Sequence, residues 1–309
     1  MSAQKVGILD IGTNSVHLFI AGQDSQGNLE HVFTKKYPIR LGEDIAKDNR
    51  IRKPTIKRLS AAVDECLSYT DEHDASLHAF ATYSLRTADN SQAVIETIER
   101  DTGMQIKVLS GLEEAKAIFI GQQSHFDLRS ANWMMVDIGG GSTEVIFGSG
   151  KGVKETPRYN SLDLGAVTMS LKYDFLQNRH RGVQLLASRI QKVCKKADLP
   201  EKTSPQTCFG SSGTIKAIGK LHRHLFKETD SLHGHTLSLR QLWELQNVLM
   251  SWNRPEEIAQ NTGLSVRRSE VIWAGITILL GIMHYARCNE LVISKASVRD
   301  GLALNILGN

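Results

Sequence analysis

The sequence predicts an α/β protein of two domains, each a β-meander followed by helices and further strands. Three observations carry that prediction. The chain has 309 residues, beyond the usual size of a single domain. A strand–glycine turn–strand unit occurs twice, as VGILDIGTNSVHLFIAG (6–22) and WMMVDIGGGSTEVIFG (133–148), with Asp-Ile-Gly repeated and Ser15 matching Ser142. After each copy, apolar residues return at helical spacing. The copies are offset by 137 − 10 = 127 residues, about one domain length, so whole domains are repeated rather than a short solenoid module. The boundary is expected near 124–130, giving domains over 1–126 and 127–309.

In the first half, VGILDI, VHLFIAG and LEHVFTKKYPI read as three antiparallel strands separated by turn residues. A helix is predicted from Pro54, a favoured first position, to about Tyr69, with Ile56, Leu59, Val63, Cys66 and Leu67 as its apolar stripe. LHAFAT (77–82) reads as a buried strand. A helix over 90–102 is stopped by Gly103, IKVL (106–109) is a strand, and SGLEEAKAIFIG (110–121) a helix. The second half restarts with WMMVDI, TEVIFG and a charged strand near 153–159, then helices from about 166. TCFGSSGTIKAIG (207–219) reads as strand, glycine turn and helix. Helices are predicted over 239–252 and 267–287, a strand at ELVIS (290–294), and a last helix at SVRDGLALNIL (297–307).

Hydrophobic residues make up 41% of the chain, enough for two packed cores. The run VIWAGITILLGIM (271–283) is too short to cross a bilayer and reads as a buried helix, and the N-terminus shows no signal-peptide core. Four cysteines with no C-x-x-C spacing are expected to be reduced, buried thiols, which places the chain in the cytoplasm. The net charge of +4 is too mild to demand a nucleic acid. Basic clusters at 50–58, 179–181 and 189–196 are explained by solvated helix faces, the sharper alternative being a groove for a polyanion. No nucleic-acid motif or aromatic stacking pattern accompanies them.

A tight glycine turn entered from a strand exposes successive backbone N–H groups that can cradle phosphate oxygens. One isolated DIG-x-x-S is best explained as an ordinary hairpin, but two copies at domain spacing can grip one phosphate chain. Asp10 and Asp137, each at a strand end beside such a turn, suit magnesium, or otherwise cap their own turns. GSSGT (210–214) opens a helix and offers a third anion site. Neither GxxxxGK[ST] nor G-x-G-x-x-G occurs in these loops, which disfavours a P-loop NTPase or a dinucleotide enzyme. Ser110 and Glu113 fit a capping box, which accounts for Glu113. Glu114 is left without a structural task and could serve as general base on water, or be a solvated first-turn acid.

The duplicated DIG loops with GSSGT resemble the actin-like phosphotransferase superfamily. More closely, the chain resembles the exopolyphosphatase/guanosine pentaphosphate phosphohydrolase (Ppx/GppA) family in its short, two-domain form. The motifs are DIGTNS, RLGEDI, ATYSLRTADN, SGLEEAKAIFIG, VDIGGGSTE, SLDLGAV, FGSSGTIKA, GLSVRRSEVIWAG and SVRDGL. The resemblance implies two actin-like (ribonuclease H-like) α/β domains facing across a cleft, with the helix 298–309 returning to the first. It implies hydrolysis of a terminal phosphoanhydride of inorganic polyphosphate or guanosine pentaphosphate, with Mg2+ or another divalent cation. Glu114 would activate water. Gly12, Asn14, Ser15, Arg86, Gly139, Gly140, Gly141, Ser142, Thr143, Gly210, Ser211, Ser212, Gly213, Thr214 and Arg268 would bind phosphate, Arg267 being a neighbour. Asp137 and Glu144 would hold the metal, with Asp10 a further candidate. Arg86 could instead brace the first domain, and Arg268 could pair with Glu270. The family commonly carries arginine where this chain has His17, whose charge depends on pH. Neither DNA nor a membrane is expected as a partner, and a homodimer is left open. A kinase of the same superfamily and a non-catalytic phosphate-polymer sensor are the alternatives.

Overall fold

The computed structural model describes residues 4–129, 131–150, 157–200 and 205–308. Two compact units make up the chain, Met1–Ser124 with Val298–Asn309, and His125–Ser297.

In unit 1, β1 (Lys5–Ile11), β2 (Ser15–Gln23) and β3 (Leu29–Pro38) form an antiparallel meander. Then come α1 (Leu41–Asp48), α2 (Lys53–Glu72), β4 (Ala75–Ala81), α3 (Tyr83–Thr87), α4 (Ser91–Thr102), β5 (Ile106–Val108) and α5 (Gly111–Gln123). β4 lies parallel to β1 and β5 parallel to β4, giving the order β3-β2-β1-β4-β5. The central strand β1 is apolar on both faces because both are covered. Leu9 and Ile11 join the core with Leu59, Val63 and Cys66 of α2, while Val6 and Ile8 join another core with Ala117 of α5. Gly103 ends α4 in the left-handed region at φ 71°, which its missing Cβ permits.

In unit 2, β6 (Trp133–Ile138), β7 (Thr143–Gly148) and β8 (Arg158–Leu162) repeat the antiparallel meander. Part of the strand expected at 153–159 lies outside the described residues. The chain continues through α6 (Ala166–Lys172), α7 (Phe175–Lys196), β9 (Thr207–Ser211), α8 (Ser212–Leu225), β10 (Thr236–Ser238), α9 (Leu239–Ser251), α10 (Pro255–Thr262), α11 (Val266–Ala286) and β11 (Glu290–Ile293). The sheet order is β8-β7-β6-β9-β11-β10. Its first five strands reproduce the order of unit 1, with β9 parallel to β6 and β11 parallel to β9; β10 adds an antiparallel edge. The repeat is therefore one of topology as well as of motif, in the ribonuclease H-like arrangement. α11 is 21 residues, longer than its apolar run and long enough by length and composition to cross a membrane, but most of it is buried within unit 2.

The last helix, α12 (Val298–Leu307), belongs to unit 1, where Leu302 and Ala303 complete the core under Val6 and Ile8. A Cβ at Gly301 would stand 1.8 Å from the Ala117 carbonyl oxygen, so only glycine lets α12 approach α5 this closely. All four cysteines are buried free thiols. Burial raises Cys66 and Cys194 to about 12 and Cys288 to about 11, which makes them poor nucleophiles.

Candidate active site

Strand pairing gathers the loop residues of unit 1 at one sheet edge. Thr82 N donates to Ile11 O at 3.2 Å and Leu109 N to Ala81 O at 2.8 Å, so the carboxyl ends of β1, β4 and β5 stand side by side. That edge is where open α/β sheets usually bind ligands. In the turn after β1, Gly12 N donates to Ser15 O at 3.2 Å, and a Cβ on Gly12 would lie 3.3 Å from that oxygen. The carbonyls of Thr13 and Asn14 are taken by Gly42 N (2.8 Å) and Arg40 N (3.0 Å) at the start of α1. Among the described residues, the Thr13 and Asn14 amides donate to no protein acceptor. A turn with its carbonyls engaged and its amides open has the donors an anion nest requires.

The turn after β6 is built the same way. Gly139 N donates to Ser142 O at 2.9 Å, and a Cβ on Gly139 would lie 3.1 Å from that oxygen. Ala166 N donates to Gly139 O, and Val167 N and Thr168 N to Gly140 O, at 3.0–3.1 Å. The amides of Gly140, Gly141 and Ser142 have no protein acceptor among the described residues. Gly165 lets α6 come this close, since its Cβ would meet Gly140 O at 2.3 Å. Thr143 faces the other way: it is fully buried and its hydroxyl donates to Leu164 O.

The third loop is tighter than its sequence suggested. Gly210 and Ser211 are the last residues of β9, and α8 begins at Ser212. A Cβ on Gly210 would strike Leu291 and Ile215, so its smallness serves packing. Ser212 carries φ 91° without being glycine, a strained conformation of the kind concentrated at functional sites. Its hydroxyl accepts from Thr214 N at 3.1 Å and Ile215 N at 3.2 Å. That leaves the Ser212 and Gly213 amides at the helix start without protein acceptors among the described residues. Arg268, in the first turn of α11, lies against Gly213, where an added Cβ would sit 2.8 Å from its Nη2. Its guanidinium has no ion pair or hydrogen bond among the described residues, Glu270 included, and burial holds its pKa below the usual arginine value. A desolvated cation without a carboxylate, beside open helix amides, is an arrangement that favours a negative charge.

The acids divide by unit. Asp137 and Glu144 are cross-strand partners, so both carboxylates stand on one sheet face as close neighbours. Ser211 Oγ donates to Asp137 Oδ2, and Ser161 Oγ to Glu144 Oε1 at 2.7 Å. In unit 1 the matching pair is Asp10 and His17. Arg299 Nη1 donates to Asp10 Oδ2 at 3.4 Å. Burial raises the Asp10 pKa, and the Arg299 charge works against that rise. His17 Nε2 meets Ser15 Oγ at 2.9 Å. Glu113 and Glu114 also part company. Glu113 closes the capping box, accepting from Ser110 N at 2.8 Å, and its pKa falls to about 2. Glu114 Oε2 accepts from Arg86 Nη1 at 3.2 Å, and the same Nη1 donates to Leu109 O at 2.7 Å. Arg86 thus both braces the β5–α5 junction and orients Glu114.

Ser161 and Arg299 lie in SLDLGAV and SVRDGL, and their partners are 17 and 289 residues away, beyond the reach of local sequence patterns.

The model of the Ppx/GppA phosphatase family matches residues 19–309. The chain belongs to that family. It is 28% identical to the guanosine-5'-triphosphate,3'-diphosphate pyrophosphatase of Vibrio vulnificus (strain YJ016), over 97% of this chain and 58% of that protein. It is 27% identical to exopolyphosphatase 1 of Mycobacterium tuberculosis (strain CDC 1551 / Oshkosh), over 98% of this chain and 88% of that one. The chain therefore spans little more than half the length of the pyrophosphatase relatives. Among solved structures, the Aquifex aeolicus family member superposes with a TM-score of 0.79 at 25% identity, covering 98% of this chain and 97% of that one. An exopolyphosphatase from Cytophaga hutchinsonii superposes with a TM-score of 0.85 at 21% identity, covering 99% and 98%, a likeness of fold.

Proposed function

We propose that the chain is a divalent-cation-dependent phosphohydrolase that releases terminal orthophosphate from inorganic polyphosphate. The observation that carries this reading is Arg268, a desolvated guanidinium with no carboxylate among the described residues, set beside the open amides of α8. Family membership supplies the reaction class, and the turns at 12–15 and 139–142 are nests of the kind that bind phosphate oxygens. Phosphoryl transfer asks mainly for positioning and electrostatic stabilisation, which such donors provide.

Glu114 is the proposed base. Arg86 fixes the carboxylate at the start of α5, where it can align a water and accept its proton. Asp137 and Glu144 would hold the cation: two adjacent carboxylates, each steadied by a serine hydroxyl, form the hard oxygen donor set that magnesium prefers. When bound, the cation would offset negative charge on the transferring group. Asp10, already engaged by Arg299, is the weaker metal candidate.

Guanosine pentaphosphate is the second substrate reading, supported by the relatives named as its pyrophosphatases. Polyphosphate leads because the exopolyphosphatase relative is matched over 88% of its length against 58%. The test is phosphate release, with and without Mg2+, from long-chain polyphosphate, tripolyphosphate and guanosine pentaphosphate, compared by kcat/KM. The highest value is expected for long-chain polyphosphate. Turnover that requires ADP or another acceptor would replace the hydrolase by a kinase, and binding without turnover would leave a sensor.

A further inference from the structure

A second cluster of titratable groups lies in unit 2, away from the turns described above. His222 follows Ser212 by ten residues on α8, about 15 Å along the helix axis. The connection after α8 brings Glu228 back to it, and His235 immediately precedes β10. The two histidines are buried, at 1% and 5% exposure, while the Glu228 side chain is 35% exposed.

Three donor atoms converge there. His222 Nδ1 is 3.5 Å and His235 Nε2 3.2 Å from the same Glu228 Oε2, and the two ring nitrogens are 3.3 Å apart. A tetrahedral ion with ligands at about 2.0–2.1 Å spaces their donor atoms about 3.3–3.4 Å apart. Octahedral coordination at that bond length gives neighbouring ligands about 2.8–3.0 Å apart, and magnesium rarely takes nitrogen. The three observed edges match the tetrahedral case. The far side of His235 fits as well: its Nδ1 lies 2.9 Å from Asp230 Oδ2, the carboxylate–histidine contact that orients a metal-ligating imidazole. Asp230 is in turn 3.4 Å from Arg223 Nε. The second ring nitrogen of His222 faces the Gln241 amide at 3.4 Å.

We propose that His222 Nδ1, His235 Nε2 and a Glu228 carboxylate oxygen bind one zinc-class divalent ion, with solvent in the fourth position. The ion staples the end of α8 to the connection 226–235 and to the edge strand β10. The competing filling is a proton: with Nδ1–H given to Asp230, His235 can donate to Glu228 only as an imidazolium.

The experiment uses the untagged full chain, stripped with a chelator and titrated with Co2+ and Zn2+. One equivalent of Co2+ is expected, with the intense visible bands of tetrahedral cobalt, bleached by Zn2+ and untouched by excess Mg2+. Zn2+ raises Tm. Glu228→Gln, at a half-exposed position, and His235→Gln both lose the bands and the Tm shift. Asp230→Asn binds Co2+ about 10–100-fold more weakly. No stoichiometric Co2+ bands in the parent chain, or equal affinity in Glu228→Gln and His235→Gln, overturns the site in favour of the proton. None of these readouts depends on phosphate release, so the proposed hydrolase activity stands or falls separately.

Discussion

The turn after β1 in unit 1 and the turn after β6 in unit 2 share a backbone and differ in charge. Both close with a Gly N–H donating to a Ser carbonyl three residues on, and both have their other carbonyls covered by the start of the helix after the third strand. Across the strands, however, unit 1 sets His17 opposite Asp10 and adds Arg299, whereas unit 2 sets Glu144 opposite Asp137 and adds serine hydroxyls. A duplicated backbone can thus keep one anion nest and reassign the charge beside it: unit 1 balances its acid from within, and unit 2 pairs two carboxylates where a cation can bind. The proposed base, Glu114, lies in unit 1, and Arg268, which has no ion pair among the described residues, lies in unit 2.

That division of labour can be broken at several strengths. Glu114→Ala is expected to lower kcat by about 10²–10⁴-fold while leaving polyphosphate affinity nearly intact. Single-turnover and equilibrium binding measurements separate the two, and wild-type kcat would remove Glu114 from its role. Asp137→Asn should cost on the order of 10²–10³ in kcat/KM and raise the Mg2+ needed for half activity. Asp10→Asn, at the equivalent position, should cost less than about tenfold, because its carboxylate is engaged by Arg299. Equal losses from the two would erase the inequivalence of the turns.

Arg268→Ala should weaken substrate binding by about 1.5–3 kcal/mol, the range for hydrogen bonds to charged groups, and appear mainly in KM. An unchanged KM would move the anion seat elsewhere. The capping box gives a smaller effect of known sign. Glu113 is held at about 2, below the ordinary glutamate value, so its contribution is present above about pH 4.5 and is lost as pH falls through about 2. With a half-exposed side chain, its loss should cost α5 no more than about 1 kcal/mol, measured as hydrogen exchange against pH, with Glu113→Ala flat over that window. His17→Arg, the smallest change, should tighten polyphosphate binding by less than about tenfold, measured by equilibrium binding, because it places a permanent charge beside the turn.

Much of this was legible beforehand where the signal was local. The repeated meander, the Gly103 stop and the Ser110–Glu113 box are written in neighbouring residues. α10 carries such signals too, with Pro255 first, Glu256 and Glu257 in the first turn and Gly263 after its end, but eight residues are too few for an apolar helical repeat to show. α1 carries Glu43 and Asp44 in its first turn and ends at a left-handed Asn49, but its start is unmarked, since Arg40 precedes it in the left-handed region with no side-chain cap. Three-residue β10 is held by its pairing with β11 rather than by any pattern of its own.

By itself, then, the sequence determined the periodicities, the two glycine turns and the residues beside them, because those depend on spacings of a few residues. Only the tertiary structure decided which charges meet: Arg299 with Asp10 across 289 residues, Ser211 with Asp137 across 74, and His235 with His222 and Glu228 after the turn beyond α8. Strand order and helix packing bring these groups together, and electrostatic interaction depends on their distance in space rather than along the chain.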